Sequence, residues 1–253
     1  MEIADKSVIV TGGAGGIGSK VIELLLGKNA FVAAVDINKE GLDKLKNNCT
    51  QYNDNLKCYC GDVGDVKFVQ EVTNHFFNIY GKIDILVNNA SILQDAPLVS
   101  LWKGKLKKHS IKDWDKTLAS NLSSVFYFSR EVAEKMILKR NNGVIINVSS
   151  ISASGNRGQT AYAAAKAGVN ALTATWASEL ALFGIRVAGV APGMTDTSMP
   201  RNAMSEKILG DWVKRTPARR MGEPEEIADV ILFVIGNEYF QGRVLEIDGG
   251  LRM

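Results

Sequence analysis

Short apolar runs rich in β-branched residues alternate along this chain with longer segments in which apolar positions recur every three or four residues. Continuous apolar runs are typical of strands covered on both faces, and the longer period is typical of helices. The pattern predicts strands at residues 7–10, 30–35, 56–59, 83–87, 143–148, 185–190 and 243–247. It predicts helices at residues 16–27, 39–47, 65–80, 111–139, 160–183 and 225–235.

The order of these elements indicates the fold class. Strands that alternate with helices form parallel sheets through right-handed crossovers, and the helices cover both faces of the sheet. We therefore predict an α/β fold with a three-layer, doubly wound parallel sheet of about seven strands. Because no linker, repeat or low-complexity tract interrupts the chain, we expect residues 1–253 to form one domain.

Two segments do not follow the alternation. The first, residues 91–110, is expected to be a long loop. It contains a basic cluster, Lys103, Lys105, Lys107, Lys108 and His109, beside Trp102. The second, residues 194–220, contains three methionines and only one short helix signal. Long loops inside compact domains are often functional, so we interpret the second as a substrate lid. The first is either a contact for an acidic or phosphorylated partner or a solvated loop.

Composition narrows the classes of function. A net charge of +3, with both signs scattered, argues against nucleic acid as a partner. No apolar stretch approaches the ~18 residues that a membrane span requires, and no secretory leader is recognisable. Two histidines and three cysteines give little support for a metal site. We expect Cys49, Cys58 and Cys60 to be reduced, small apolar filler residues, which indicates a cytoplasmic protein.

A glycine-rich turn follows the first predicted strand and opens the first predicted helix. It contains Thr11, Gly12, Gly16 and Gly18. Glycines allow the backbone to approach a pyrophosphate, and the N-terminus of a helix offers free N–H groups and partial positive charge. Such a turn can also be a mere tight connection, but here Asp36 ends the second predicted strand. Together these features predict a dinucleotide site.

Asp36 also indicates which dinucleotide is bound. A carboxylate at this place accepts hydrogen bonds from the hydroxyls of the adenine ribose and repels a 2′-phosphate. The glycine-rich turn contains no lysine or arginine, and Lys39 is the nearest base after Asp36. We therefore predict NAD(H) rather than NADP(H).

Tyr162 and Lys166 are four residues apart and share one face of a predicted helix. A phenol with a pKa of ~10 is a poor acid–base catalyst at neutral pH, but an ammonium group and a positive nicotinamide ring would lower that pKa. Tyr162 could then exchange a proton with an alcohol or a ketone during hydride transfer. A hydroxyl of Ser149 or Ser150 would hold the substrate oxygen. The Tyr–Lys spacing alone is also common on surface helices.

These features together resemble the short-chain dehydrogenase/reductase family, in its single-domain branch, over essentially the whole chain. The shared motifs are Thr11-Gly-x-x-x-Gly16-x-Gly18, Asp62-Val63, Asn88-Asn89-Ala90, Asn121, Ser149-Ser150, Tyr162-x-x-x-Lys166, Pro192-Gly193 with Thr195, and Asp248-Gly249-Gly250. Residues 158–168 and 221–235 are most similar to bacterial 3-oxoacyl-(acyl-carrier-protein) reductases. The resemblance implies a Rossmann fold, a ketoreductase activity, and a dimer or homotetramer formed through the helices at residues 111–139 and 160–183 and through the C-terminal segment.

The resemblance also implies roles for individual residues. Tyr162 would be the general acid/base, and Lys166 would lower its pKa and bind the nicotinamide ribose. Asn121 would distort its helix and hold a water that links Lys166 to solvent, and Asn88 would tie neighbouring strands together. The implied catalytic residues are Asn121, Ser149 or Ser150, Tyr162 and Lys166. The implied cofactor-binding residues are Gly12, Gly15, Gly16, Ile17, Gly18, Asp36, Ile37, Asp62, Val63, Asn89, Ala90, Tyr162, Lys166, Pro192, Gly193 and Thr195.

Three departures from the family pattern concern the substrate side. Counting back from the tyrosine places the family serine at Ser149, whereas counting along its strand places it at Ser150. We favour Ser150 because strand register is more constrained than loop length. Ser91 replaces the glycine that commonly follows Asn-Asn-Ala, and we expect it to crowd the cofactor. The loop at residues 91–110 is longer than its counterpart in the reductases. Those enzymes more often use NADPH, whereas Asp36 argues for NAD(H) in this chain.

The leading hypothesis is an NAD(H)-dependent oxidoreductase that interconverts a secondary alcohol and a ketone, with a free or carrier-bound small-molecule substrate. One alternative is a carrier-protein-linked 3-oxoacyl reductase. A rival from another class is a non-catalytic NAD(H)-binding sensor or scaffold.

Overall fold

The computed structural model describes residues 1–252, with the exception of the side chain of Trp102. Seven parallel strands form one sheet, and two further strands form a separate antiparallel hairpin. The strands are β1 (Ser7–Thr11), β2 (Phe31–Asp36), β3 (Leu56–Cys60), β4 (Ile85–Asn88), β5 (Val99–Trp102), β6 (Lys105–Lys108), β7 (Gly143–Val148), β8 (Ile185–Pro192) and β9 (Val244–Ile247). The order in the sheet is β3-β2-β1-β4-β7-β8-β9. The predicted fold class is confirmed, and each of the seven predicted strands lies within two residues of its predicted bounds.

Helices cover both faces of the sheet. They are α1 (Gly16–Gly27), α2 (Lys39–Asn48), α3 (Val66–Tyr80), α4 (Ile111–Leu118), α5 (Ser124–Lys139), α6 (Thr160–Glu179), α7 (Ser198–Ala203), α8 (Glu206–Arg215) and α9 (Pro224–Gly236). Alternation along β1 shows how the two layers arise. Val8 and Val10 pack into a core with α1, α2 and α9, while Ile9 packs into a second core with α3, α5 and α6.

Two predicted helices differ from the structure. The helix predicted at residues 111–139 is interrupted by a five-residue π-helix, Ala119–Ser123, between α4 and α5. The helix predicted at residues 160–183 ends at Glu179 and continues only as a 3₁₀ turn, Ala181–Phe183, before Gly184 adopts a φ of 72°. No helix in residues 1–252 is both long enough and apolar enough to cross a bilayer. The cytoplasmic location stays a prediction.

The two irregular segments contain more secondary structure than predicted. Within residues 91–110, β5 and β6 pair around Lys103 and Gly104, whose φ values are 48° and 77°. Two consecutive positive φ values are the signature of the tight turn that suits the twist of a hairpin. Within residues 194–220, α7 and α8 replace the single predicted helix. The side chain of Trp102, assigned to the basic cluster, lies outside the described residues.

All three cysteines are free thiols as expected, whereas the expectation of apolar filler residues is correct for Cys49 and wrong for Cys58 and Cys60. Cys49 is buried in the core, whereas Cys58 and Cys60 are exposed, and all three are free thiols. Both exposed cysteines lie on β3, which is an edge strand of the sheet. An edge strand is covered less completely than a central one, so its side chains reach solvent.

Candidate active site

A cleft of about 360 Å³ lies at the carboxyl edge of the parallel sheet, where the segments that follow β1, β2, β4, β7 and β8 converge. This edge is the usual ligand site of open α/β sheets. Thirteen of the predicted site residues line it: Gly12, Gly15, Gly16, Ile17, Asp36, Asn89, Ser149, Ser150, Tyr162, Lys166, Pro192, Gly193 and Thr195. Six predicted residues lie outside its lining: Gly18, Ile37, Asp62, Val63, Ala90 and Asn121.

The glycine-rich turn is fixed by close backbone packing. Gly12 has a φ of 67°, and a Cβ atom there would lie 2.8 Å from Cα of Ala90. A Cβ on Gly18 would collide with the carbonyl oxygen of Gly12, which explains the glycine although Gly18 does not line the cleft. The side-chain amide of Asn89 donates to the carbonyl oxygens of Thr11 (3.1 Å) and Gly12 (3.2 Å). The turn is therefore rigid before any ligand binds.

Asp36 connects the end of β2 to this turn. Its Oδ2 accepts a hydrogen bond from the N–H of Ala14 (3.0 Å), and its Oδ1 accepts one from the N–H of Asn38 (2.9 Å). The next residue, Ile37, is 69 % exposed and points away from the cleft lining. Among the described residues, Lys166 is the sole lysine or arginine that lines the cleft. The end of the cleft beside Asp36 is therefore acidic.

Three residues assigned to the cofactor have mainly structural contacts. Oδ1 of the exposed Asp62 accepts a hydrogen bond from the N–H of Gly64 (2.8 Å). Val63 is buried in the core on the α3 side of the sheet. The N–H of Ala90 donates to Oγ1 of Thr11 (3.0 Å). These contacts hold the loops behind the cleft wall, and direct contacts to a cofactor stay a prediction.

Tyr162 and Lys166 both face the cleft from α6. Lys166 is only 2 % exposed, its Nζ donates to the carbonyl oxygen of Val148 (2.8 Å), and Nζ lies 5.7 Å from the centroid of the Tyr162 ring. Burial lowers the pKa of Lys166 to about 8. Nζ is therefore held by a backbone carbonyl, one turn of helix away from the phenol.

The pKa of Tyr162 is raised in the structure. Burial raises it above the ordinary value, the hydroxyls of Ser150 and Ser91 partly offset that rise, and the carboxylate of Asp95 adds to it. That Lys166 and a positive nicotinamide ring together lower this pKa stays a prediction. Among the protein's own groups, desolvation of the phenolate is the largest cause of the shift, and it acts upward.

The two adjacent serines point in different directions, as neighbours at the end of a strand do. Ser149 is 3 % exposed, and its hydroxyl donates to the carbonyl oxygen of Lys166 (3.3 Å). Ser150 is close to the phenol of Tyr162, and its Oγ accepts a hydrogen bond from the N–H of Ser152 (3.2 Å). The geometry therefore favours Ser150 as the hydroxyl that faces a substrate.

Asn121 lies in the π-helix, so the predicted local distortion of its helix is present. Its side chain is fully buried and clamps the backbone of Ile92: Oδ1 accepts from the N–H and Nδ2 donates to the carbonyl oxygen, both at 2.8 Å. That it also holds a water stays a prediction. The strand-tying role of Asn88 is confirmed, because its Nδ2 donates to Oδ1 of Asn147 on β7 (2.9 Å).

The cleft is also lined by residues that the sequence analysis did not place there. Gln159 is 7 % exposed, and its Nε2 donates to Oδ2 of Asp95 (3.0 Å). A signal was available, because Gln159 lies three residues before Tyr162 and therefore on the same side of the helix start. The predicted lid also contributes: Met194, Met199 and Met204 line the outer part of the cleft.

Comparison with known proteins gives the chain its family. A model of the short chain dehydrogenases matches residues 6–208. A 3-oxoacyl-(acyl-carrier-protein) reductase of Thermotoga maritima is 42 % identical over 99 % of both chains, and one of Chlamydia pneumoniae is 37 % identical over 99 % of this chain and 98 % of its own. The crystal structure of levodione reductase superposes with a TM-score of 0.90 at 30 % identity, over 98 % of this chain and 97 % of the other. With its seven-stranded sheet and these relatives, the chain belongs to the short-chain dehydrogenase/reductase family and is an oxidoreductase that acts on CH–OH groups.

Proposed function

We propose that this protein is an NAD(H)-linked carbonyl reductase in which Tyr162 transfers the proton and Ser150 holds the substrate oxygen. The observation that carries the proposal is that both side chains face the cleft into which the glycine-rich turn and Asp36 open. A nicotinamide dinucleotide fits the residues present, because Gly12 leaves room for its backbone approach and Asp36 lies where a ribose hydroxyl needs an acceptor. When bound, the nicotinamide supplies the hydride.

The chain's own groups perform the remaining steps. Ser150 donates a hydrogen bond to the carbonyl oxygen of the substrate and stabilises the negative charge that develops there. Tyr162 then donates its proton to the same oxygen. Burial raises the pKa of the phenol, and the hydroxyls of Ser150 and Ser91 partly offset that rise and so assist release of the proton. Lys166 is proposed to bind the nicotinamide ribose, because its ammonium group lies at the floor of the cleft beside Tyr162.

NAD(H) rather than NADP(H) is proposed on electrostatic grounds. A 2′-phosphate would meet the carboxylate of Asp36, and no lysine or arginine of the described cleft lining lies at that end to neutralise it. The 3-oxoacyl-carrier-protein reductases that this chain resembles more often use NADPH, so the choice of cofactor is a direct test of Asp36.

The proposed substrate class is a 3-oxoacyl group attached to an acidic carrier protein. The names of the relatives favour it. A feature of this chain favours it as well, because the hairpin that follows the cleft wall carries four exposed lysines. They are Lys103, Lys105, Lys107 and Lys108. Electrostatic attraction of this kind accelerates association and orients a charged partner.

The first experiment separates catalysis from binding. Tyr162→Phe is expected to lower kcat for ketone reduction by about 10²–10⁴-fold while the Kd for NADH, measured by fluorescence, changes little. Asp36→Ala is the companion variant, and it is expected to reduce the preference for NADH over NADPH. Full activity in Tyr162→Phe would overturn the mechanism. Tight NADH binding by the wild-type protein with no reduction of any ketone would support a sensor instead.

The second experiment tests the carrier. Lys105→Glu combined with Lys107→Glu is expected to raise KM about 10-fold for a carrier-bound 3-oxoacyl substrate and to leave the same acyl group on a small thiol unaffected. The matched control is Lys28→Glu with Lys139→Glu, two exposed lysines at the helix ends far from the cleft edge. Equal KM values in both double variants would reject the hairpin as a carrier contact.

We also propose that the protein forms a homo-oligomer, a dimer or a tetramer. Phe126 on α5 is 44 % exposed, and Leu182 and Phe183 after α6 are 75 % and 42 % exposed. Large apolar side chains that remain exposed near long helices are typical of subunit contacts. Sedimentation equilibrium tests this proposal, and a monomer at all concentrations would reject it.

A further inference from the structure

The residue that departs from the family's glycine, Ser91, faces the proton-transfer site. It is the third residue after the end of β4, and it lines the cleft. Its Oγ atom is buried and has no hydrogen-bond partner of ordinary geometry. A buried hydroxyl without a partner is costly, so such a group in a native structure needs an explanation. A candidate partner that lines the same cleft is the phenol of Tyr162, whose raised pKa is partly offset by the hydroxyls of Ser150 and Ser91.

The backbone on both sides of Ser91 is held in place. On one side, the N–H groups of Asn89 and Ala90 both donate to Oγ1 of Thr11, each at 3.0 Å. On the other side, the amide of Asn121 binds the N–H and the carbonyl oxygen of Ile92, each at 2.8 Å. The hydroxyl is therefore presented to the cleft from a fixed support, which is the condition for a preorganised contact.

We propose that Ser91 is a positioning residue for the reaction: its buried, otherwise unpartnered hydroxyl, which lines the same cleft, binds the phenolic oxygen of Tyr162 and stabilises the phenolate form. This inference rests on the proposed function of Tyr162. A glycine at this position, as the family commonly has, offers no such donor. The expectation that Ser91 crowds the cofactor stays a prediction, and the proposed contact to Tyr162 is separate from it.

The charged groups that face Tyr162 determine how much the Ser91 hydroxyl can change the pKa of the phenol. Lys166 lies one turn away on the same helix, and Asp95, which follows Ser91 on the same segment, raises the pKa of the phenol. Asp95 is held there by Gln159, and Ala96 forms a parallel bridge with Gln159. A hydroxyl donor beside the phenol opposes the effect of that carboxylate.

The test compares Ser91→Gly, Ser91→Ala and Ser91→Thr with the wild-type enzyme in both reaction directions. Loss of the hydroxyl in the first two variants is expected to raise the pKa of Tyr162 by about one unit, which corresponds to a tenfold change. The acid limb of kcat for alcohol oxidation and the alkaline limb of kcat for ketone reduction should both move to higher pH. At pH 7, kcat for oxidation should fall about 10-fold with little change in KM. Ser91→Thr, which keeps a hydroxyl, should restore the wild-type pH profile.

The controls distinguish failure of this inference from failure of the proposed function. Ser100→Ala removes a hydroxyl from the hairpin of the same segment, and it should leave the pH profile unchanged. Tyr162→Phe is measured in parallel. If it abolishes turnover while the Ser91→Gly and Ser91→Ala profiles match the wild type, the role of Ser91 is overturned and the proposed function stands. If Tyr162→Phe retains activity, both the proposed function of Tyr162 and the proposed role of Ser91 are rejected. A uniform loss of rate without a pH shift would assign Ser91 a packing role and overturn the inference.

Discussion

The nucleotide wall of the cleft and the β5–β6 hairpin are built in different ways. On the nucleotide wall, the turn between β1 and α1 is bound to the sheet: the N–H of Gly13 donates to the carbonyl oxygen of Val35 (3.1 Å), and Asn89 holds Thr11 and Gly12. Within the described part of residues 1–252, the hairpin formed by β5 and β6 contributes no residue to the cleft lining, and its two strands pair only with each other. Val99, Leu101 and Leu106 of the hairpin are 52 %, 68 % and 74 % exposed.

This difference separates the chemistry of the reaction from the choice of substrate. Tyr162, Ser150 and the glycine-rich turn belong to elements whose backbone groups are part of the parallel sheet or are packed on it, so they unfold only with the domain. The hairpin can rearrange or open at a much lower cost, because little buried surface holds it. The hairpin, which is the proposed carrier contact, can therefore change without loss of the site that reduces the substrate.

The largest expected effect comes from a glycine of the nucleotide wall. In Gly18→Ala, the new methyl group collides with the carbonyl oxygen of Gly12, and that atom belongs to backbone that cannot move without breaking the turn. We expect loss of detectable NADH binding and a decrease of about 3 kcal/mol in the free energy of unfolding, measured by urea denaturation. Gly27→Ala is the matched control on the same helix, because its methyl group would meet only the hydroxyl of Tyr52 at 3.8 Å. If Gly18→Ala binds NADH normally, this wall is less rigid than described.

A second prediction concerns Lys166 in the protein without added nucleotide. Its ionisation should change the free energy of unfolding by up to about 3 kcal/mol as the pH rises. Burial lowers its pKa from 10.5 to about 8 in the folded state, so between these values the unfolded chain binds more protons than the folded one. The free energy of unfolding should therefore gain a rising contribution from Lys166 between pH 8 and 10. That contribution is absent from Lys166→Met, which carries no charge at any pH. The raised pKa of Tyr162 acts only above that window.

The measurement is the difference between the urea unfolding free energies of the wild type and Lys166→Met across this pH window. The substitution also removes the hydrogen bond to the carbonyl oxygen of Val148, but that cost does not vary with pH. A change of this difference with pH therefore reports the ionisation of Lys166 alone. Parallel stability curves for the two proteins would show that the ammonium group is solvated in the folded state.

The cleft residues and the hairpin also differed in how far the sequence could predict them. The strands, Asp36 and the pair Tyr162 and Lys166 were identified because their patterns are local: continuous apolar runs, an acid at a strand end, and a four-residue helical spacing. The hairpin was read as a loop, although Gly104 flanked by two alternating runs was a signal for a tight turn. The contact of Asn121 with Ile92 joins residues far apart in the chain, and no local pattern encodes it.

The direction of the tyrosine pKa shift could not be obtained from spacing either. Four residues of helix place Lys166 near Tyr162, but the shift depends on how much water each group loses and on what else approaches it. Ser91 and Asp95 approach from the segment after β4, which the sequence alone does not place against α6. Electrostatics inside a cleft is a property of the tertiary structure.

The smallest expected effect comes from the glycine of the hairpin. In Gly104→Ala, the new methyl group has free space around it, so the cost arises only from a φ of 77°, about 1 kcal/mol. Because the hairpin pairs only with itself, this cost should appear as local opening: amide hydrogen exchange at Leu101 and Leu106 should accelerate about 5-fold. The global free energy of unfolding and the Kd for NADH should remain those of the wild type. A global loss of stability as large as that of Gly18→Ala would mean that the hairpin unfolds together with the domain. That result would contradict the difference in rigidity between the nucleotide wall and the hairpin.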